Sequence, residues 1–150
     1  RKNALIKTTF DELKALYTTI DNDLIEAKQL QQSLVRERYK DFGKAEISLM
    51  LQSSGHVGGD LVGYFPINER EIGLFAIDVS GHGIASALLT ARLASYLSEG
   101  SPTHNIALIE QPGDNHKRQP PEMVAAQLNR LLTEEMMSEH YFTMLCFYTV

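Results

Sequence analysis

The sequence lacks most of the features that place a protein at a glance. There is one cysteine, Cys146, in 150 residues; no internal disulfide can form, and a reducing, cytoplasmic setting is expected. No apolar run approaches the roughly 20 residues that span a bilayer, and the N-terminus has no signal-peptide pattern, so no membrane span is expected. Net charge is −5, and "HKR" at His116 to Arg118 is too short for a nucleic-acid footprint. No nucleic-acid partner is expected. There is no GxxxxGK loop for a nucleoside triphosphate. Ser80 has His82 close by but no GxSxG elbow and no placed acid partner. His56 and His82 have no second histidine or cysteine at ligand spacing, which argues against zinc. No internal repeat or low-complexity tract appears. What remains is the composition of a globular domain, 43% hydrophobic and 22% charged, long enough to bury a core. The chain begins with Arg1 rather than Met, which suggests a piece of a longer protein.

Two segments differ in character, 1–40 and 41–150. The first reads as one helix to about residue 38. Ile6, Phe10, Leu13, Tyr17, Ile20, Leu24, Ala27, Gln31 and Leu34 follow at alternating steps of four and three, with no glycine or proline between them. That is a heptad seam, expected to make a parallel homodimer, with Gln31 as a polar residue that sets register. An amphipathic helix lying on its own domain is the other reading. Arg36, Arg38, Lys40, Asp41 and Gly43 mark the end of this helix.

From Ala45 the period changes to that of strands. Ile47, Leu49 and Leu51 alternate on a first strand, "DLVGYFPI" is a second, and "EIGLFAIDVS" is the third and most apolar. A helix follows from Gly83, with Ile84, Leu88, Ala91 and Ser95 expected on its buried face and Ala87, Ala94 and Leu97 widening it. Residues 100–120 read as a surface excursion, with a short turn of structure at "NIALIE" as the other reading. A second helix is expected from Pro121 to about Met137, with Val124, Leu128, Leu131 and Leu132 inward. "YFTMLCFYTV" is a last strand, in which Cys146 is a small buried hydrophobe. This order is an α+β pattern, an antiparallel sheet covered by a helix pair. The sheet's second face still needs a cover, supplied either by the first helix folding back or, as favoured here, by chain beyond residue 150.

Asp60 starts the second strand and Asp78 ends the third. In antiparallel neighbours these positions share one edge, so the two carboxylates converge and need a proton or a cation between them. Gly58 and Gly59 before Asp60, and Gly81 and Gly83 after Asp78, clear side chains so that carbonyls and water approach closely. Oxygen donors with room for water suit Mg²⁺ or Mn²⁺. The plainer reading makes either acid a turn residue, with Asp78 capping the helix from Gly83, and His82 a polar turn residue near the site.

"VGGDLVGYF", then "FAIDVSGHGIASALLTARL", with "YFTMLCFYTV" after a helix, resembles the bacterial SpoIIE/RsbU-type branch of the PPM metal-dependent serine/threonine phosphatases. The resemblance covers about residues 45–150. It implies a PPM-phosphatase-like α-β-β-α sandwich, antiparallel sheets flanked by helices, here truncated and preceded by a long helix. It also implies a binuclear Mn²⁺ or Mg²⁺ site between the sheets. Asp78 would bridge both metals, Val79 would offer its backbone carbonyl, and Asp60 would hold one metal directly or through water. Gly59, Ser80, Gly81, His82 and Gly83 would form the site loop. A metal-activated water would attack the phosphorus of phosphoserine or phosphothreonine, without a covalent phosphoenzyme. The usual substrates of the branch are phosphorylated anti-anti-sigma-factor-like proteins in partner-switching pathways, and the leading helix commonly joins an upstream sensor or receiver domain. Many members carry a second acid three residues after the first; here that position is Gly63. The family's remaining metal aspartates would lie beyond residue 150. A degenerate, docking-only phosphatase-like protein is the alternative, which Gly63 favours and intact Asp60, Asp78 and "SGHG" oppose. A nucleotide cyclase is set aside, because Leu61 and Val62 follow "GGD" where an acidic-aromatic pair is required.

Overall fold

β3 (Asp60–Pro66) and β4 (Ile72–Val79) form an antiparallel pair, and β7 (Phe142–Tyr148) joins the far side of β4, in the order β3-β4-β7. The computed structural model describes residues 2–149 except 36, 54, 99, 101, 114, 137 and 138. Between β3 and β4, Asn68 Oδ1 accepts the backbone N–H groups of Arg70 and Glu71, an Asx turn that reverses the chain. Strand alternation then sorts the side chains. Leu61, Phe65, Phe75, Ile77 and Val79 face one way and are buried against α2 (Ile84–Tyr96) and α3 (Pro121–Arg130). Leu93 on α2 and Leu128 on α3 complete that core, each worth about 1.5–3 kcal/mol of transfer energy. Val124, Leu128, Leu131 and Leu132 are all inward as expected, with the last two in a π-helical turn, Leu131–Glu135. Met137, the expected helix end, lies outside the described residues.

The α2 face departs from expectation. Ile84 and Leu88 are exposed, and Ser86, Leu89, Thr90 and Leu93 are buried instead. The helix is apolar nearly all round, so its period chose no face. The buried hydroxyls are satisfied locally, Ser86 donating to the Gly83 carbonyl and Thr90 to that of Ser86.

The sheet's other face is half covered. β1 (Tyr39–Asp41) and β2 (Glu46–Ser48) form a hairpin of their own, not an added strand beside β3. Ile47 packs with Tyr64 and Ile72 at one end of the face. Glu37 accepts the Tyr64 hydroxyl at 2.8 Å and pairs with Lys40 at 3.0 Å; these two bonds, that from Lys40 first, hold its carboxyl below the usual range. Towards Asp60 and Asp78 the face is open, with Leu145 on β7 60% exposed, and Phe147, further along β7 opposite Leu74, is 57% exposed. Cys146 points to the opposite, helix-covered side, where burial pushes its thiol up.

The first helix, α1 (Lys2–Gln32), stops short of the expected end near residue 38. Ser33 bonds back to the Leu30 carbonyl and Val35 drops into the core. Arg36 lies outside the described residues. The excursion at residues 100–120 holds more than the short structure allowed at "NIALIE": a 3₁₀ turn, Pro102–His104, and a hairpin of β5 (Leu108–Gln111) and β6 (Asn115–Arg118). It is anchored by buried Asn105 and Ala107, and by Ile106 N–H donating to the Tyr96 carbonyl at the end of α2.

Candidate functional site

Asp60 and Asp78 are direct partners across β3 and β4. Val79 N–H donates to the Gly59 carbonyl at 2.9 Å, closing the last rung beyond them. The Asp60–Asp78 pair is therefore a non-hydrogen-bonded one, the class whose side chains stand closest, about 4.5–5.5 Å between Cβ atoms. Both project on the open face of the sheet, at the mouth of a cleft of about 430 Å³ bounded by Gly55 to Asp60, Asp78, Gly81 to Gly83 and Leu24 of α1.

The backbone around the acids is shaped by glycine at two points. A Cβ on Gly59 would collide with the Val79 carbonyl oxygen, so only glycine lets the two strands approach there. Gly81 and Gly83 hold φ of 86° and 85°, a left-handed geometry that turns β4 sharply into α2. Gly83 is the N-cap of α2 and no side chain caps it, so Asp78 is not the helix cap that the plainer reading allowed.

Ser80 does not pair with His82. Its hydroxyl accepts Tyr141 N–H at 3.0 Å and stands 3.5 Å from His140 Nδ1, and that Nδ1–H donates to the Ser80 carbonyl at 2.9 Å. These bonds tie the turn to the start of β7; His140 carried no signal in the sequence. His82 is exposed at the cleft mouth.

As a donor set, Asp60, Asp78 and the Val79 carbonyl are all oxygen, which suits a hard divalent cation. Such a cation takes about six ligands. Among the described residues no group of three or more His, Cys, Asp or Glu side chains converges. These residues thus fit one side of such a centre. Gly63, where a second acid would stand, faces the helices: a Cβ there would run into the Phe75 ring opposite it. An acid at that position could not reach the Asp60 side of the sheet. Its absence is explained by packing.

The seam residues divide into two groups. Ile6, Phe10, Leu13, Tyr17 and Ile20 are exposed, as is every position from 2 to 23. Leu24 borders the cleft, and Leu34 falls beyond the end of α1 and packs on the core. Gln31, read as a register residue of a dimer, is buried against its own domain. Its carboxamide Nε2 donates to the Gly58 carbonyl at 2.5 Å and its Oε1 accepts Gly58 N–H at 3.0 Å. Its place in the heptad was visible; its partner was not.

Residues 68–149 match the family model for stage II sporulation protein E (SpoIIE), a span that includes Asp78 and leaves Asp60 outside. The chain is also similar to phosphoserine phosphatase RsbP of Bacillus subtilis (strain 168), 36% identical over 67 residues. That stretch is 45% of this chain and 16% of the relative. With antiparallel strands, helices on one face and a long leading helix around these motifs, and with over half its length inside the match, the chain belongs to the SpoIIE family.

Proposed function

We propose that this chain forms the N-terminal part of the catalytic domain of a metal-dependent phosphoserine/phosphothreonine protein phosphatase. The observation that carries the reading is the Asp60–Asp78 pair: two carboxylates directly opposite on a non-hydrogen-bonded rung, beside the Val79 carbonyl, at the mouth of a cleft. Like charges so placed are mutually unfavourable unless a cation joins them. The named activity of RsbP supports the same reading. Mn²⁺ or Mg²⁺, as a binuclear centre, would be held by Asp60, Asp78 and the Val79 carbonyl on this side. When bound, it supplies a water of lowered pKa as nucleophile and a positive charge for the phosphoryl oxygens.

The chain's own residues set the stage for that chemistry. Asp60 and Asp78 hold negative charge at fixed rungs of a rigid sheet. Gly59 leaves the Val79 carbonyl unobstructed by a side chain, and Gly81 and Gly83 turn the chain along the cleft edge into α2. Ser80 is engaged with Tyr141, so no covalent serine intermediate is drawn.

The division is residues 1–40 as a coiled-coil linker and 41–150 as the partial phosphatase domain. The exposed stripe from Ile6 to Ile20 favours a homodimer through α1, which would relay the state of an upstream sensor or receiver. The open face around Leu145 and Phe147 favours a second sheet packed there. The substrate in this reading is a phosphorylated protein of the anti-anti-sigma-factor-like class, in the cytoplasm. A docking-only protein loses its one sequence argument, since Gly63 is accounted for by Phe75.

The test is hydrolysis of a phosphoserine peptide by the full-length protein with Mn²⁺ and with EDTA. Turnover should require the metal and disappear in Asp78→Asn. Metal-independent turnover, or near-wild-type turnover in the variant, overturns the assignment.

A further inference from the structure

We propose that Gln31 is a positioning residue for the site, holding the loop that delivers Asp60; the inference rests on the reading of Asp60 and Asp78 as metal-holding residues. Gln31 is the buried residue of α1, 9% exposed, on a helix whose first 22 described positions, 2–23, all face solvent. A glutamine side chain is costly to order and to bury, and it stays buried when both of its polar atoms are satisfied. Here both go to the backbone of one residue, across its two flanking peptide groups. The Nε2–H donates to the Gly58 carbonyl and the Oε1 accepts Gly58 N–H, as a neighbouring strand would.

That grip sits two positions before Asp60. The intervening Gly59 carbonyl takes Val79 N–H at 2.9 Å and the Thr90 hydroxyl at 3.0 Å. Gly58 and Gly59 are thus held from α1, β4 and α2 at once, and the chain enters β3 with Asp60 already oriented. A second tie lies further up the same face of α1, where Asp21 Oδ1 stands 3.0 Å from His56 Nε2. Leu24, between them on that face, borders the cleft.

Removing the carboxamide leaves Gly58 to water and frees the loop, so Asp60 must be ordered again each time a cation binds. Partners that orient a metal ligand from outside the coordination shell typically contribute 10–100-fold in affinity.

The test is Mn²⁺ affinity by calorimetry in the full-length protein, alongside amide exchange of residues 58–60 in the metal-free state. Gln31→Met keeps the length without the hydrogen bonds, Gln31→Ala removes both, and Val35→Ala loosens the same junction without touching the loop. Both Gln31 variants should bind Mn²⁺ about tenfold more weakly and exchange amides 58–60 faster. Val35→Ala should lower the melting temperature and leave Mn²⁺ affinity unchanged. Unchanged affinity or unchanged exchange in Gln31→Met overturns the positioning role while the metal site stands. Equal weakening in Val35→Ala overturns it too, as general loosening. A wild type that binds no Mn²⁺ overturns the metal reading itself, and this inference with it.

Discussion

Asp78→Asn is expected to act in opposite directions on the metal-free and metal-loaded protein. Asp60 and Asp78 face each other on a rung where side chains stand closest, and none of the ion pairs among the described residues involves either acid. Asp78 is exposed, so water screens the repulsion and the high-dielectric figure applies, about 1 kcal/mol at 4 Å. Cross-strand pairs are worth about 0.2–1 kcal/mol. The neutral variant should therefore be more stable than wild type in EDTA by up to about 1 kcal/mol, or at most about 4 °C in melting temperature for a chain of this size. With Mn²⁺ at one hundred times its dissociation constant, wild type should gain about 2.7 kcal/mol, and the variant should lose most of that gain. The order of the two melting curves should reverse between EDTA and Mn²⁺. Thermal denaturation followed by circular dichroism at neutral pH reads both arms. If the variant melts below wild type in EDTA, the acids are not in mutual repulsion. If its Mn²⁺ gain equals that of wild type, Asp78 does not hold the metal.

Two further outcomes test the packing and the proposed dimer. Gly63→Ala forces a Cβ into the Phe75 ring and should cost about 1–3 kcal/mol in urea unfolding; a neutral result would mean the ring is not seated over Gly63. Leu13→Lys with Ile20→Lys places charge on two seam positions that are 47% and 46% exposed, and should halve the mass by light scattering at micromolar concentration. Leu24 is left alone because it borders the cleft, and an unchanged mass would rule out association through the seam.

The apolar runs of β3, β4 and β7 were legible because turn signals or the chain's polar segments bound them, and the inward residues of α3 because its pattern repeats locally. The convergence of Asp60 and Asp78 was legible for a related reason: in a hairpin the start of one strand must lie opposite the end of the next. The buried face of α2 was not, since an apolar surface all round leaves the choice to hydrogen bonds such as Thr90 to Gly59. Nor were β1, β5 and β6, three or four residues long, too short to show a period, while the strand expected at Ile47 is present only as the three residues of β2. Gly63 looked like a missing acid until its place beneath Phe75 gave it a packing role. Gln31 kept its heptad position yet found its partner 27 residues away, in a backbone group with no side chain to advertise it. Local periodicity determined which residues form the sheet and that two acids share its edge. Only the tertiary structure decided what holds that edge in place, because contacts between distant backbone groups leave no trace in the spacing of side chains.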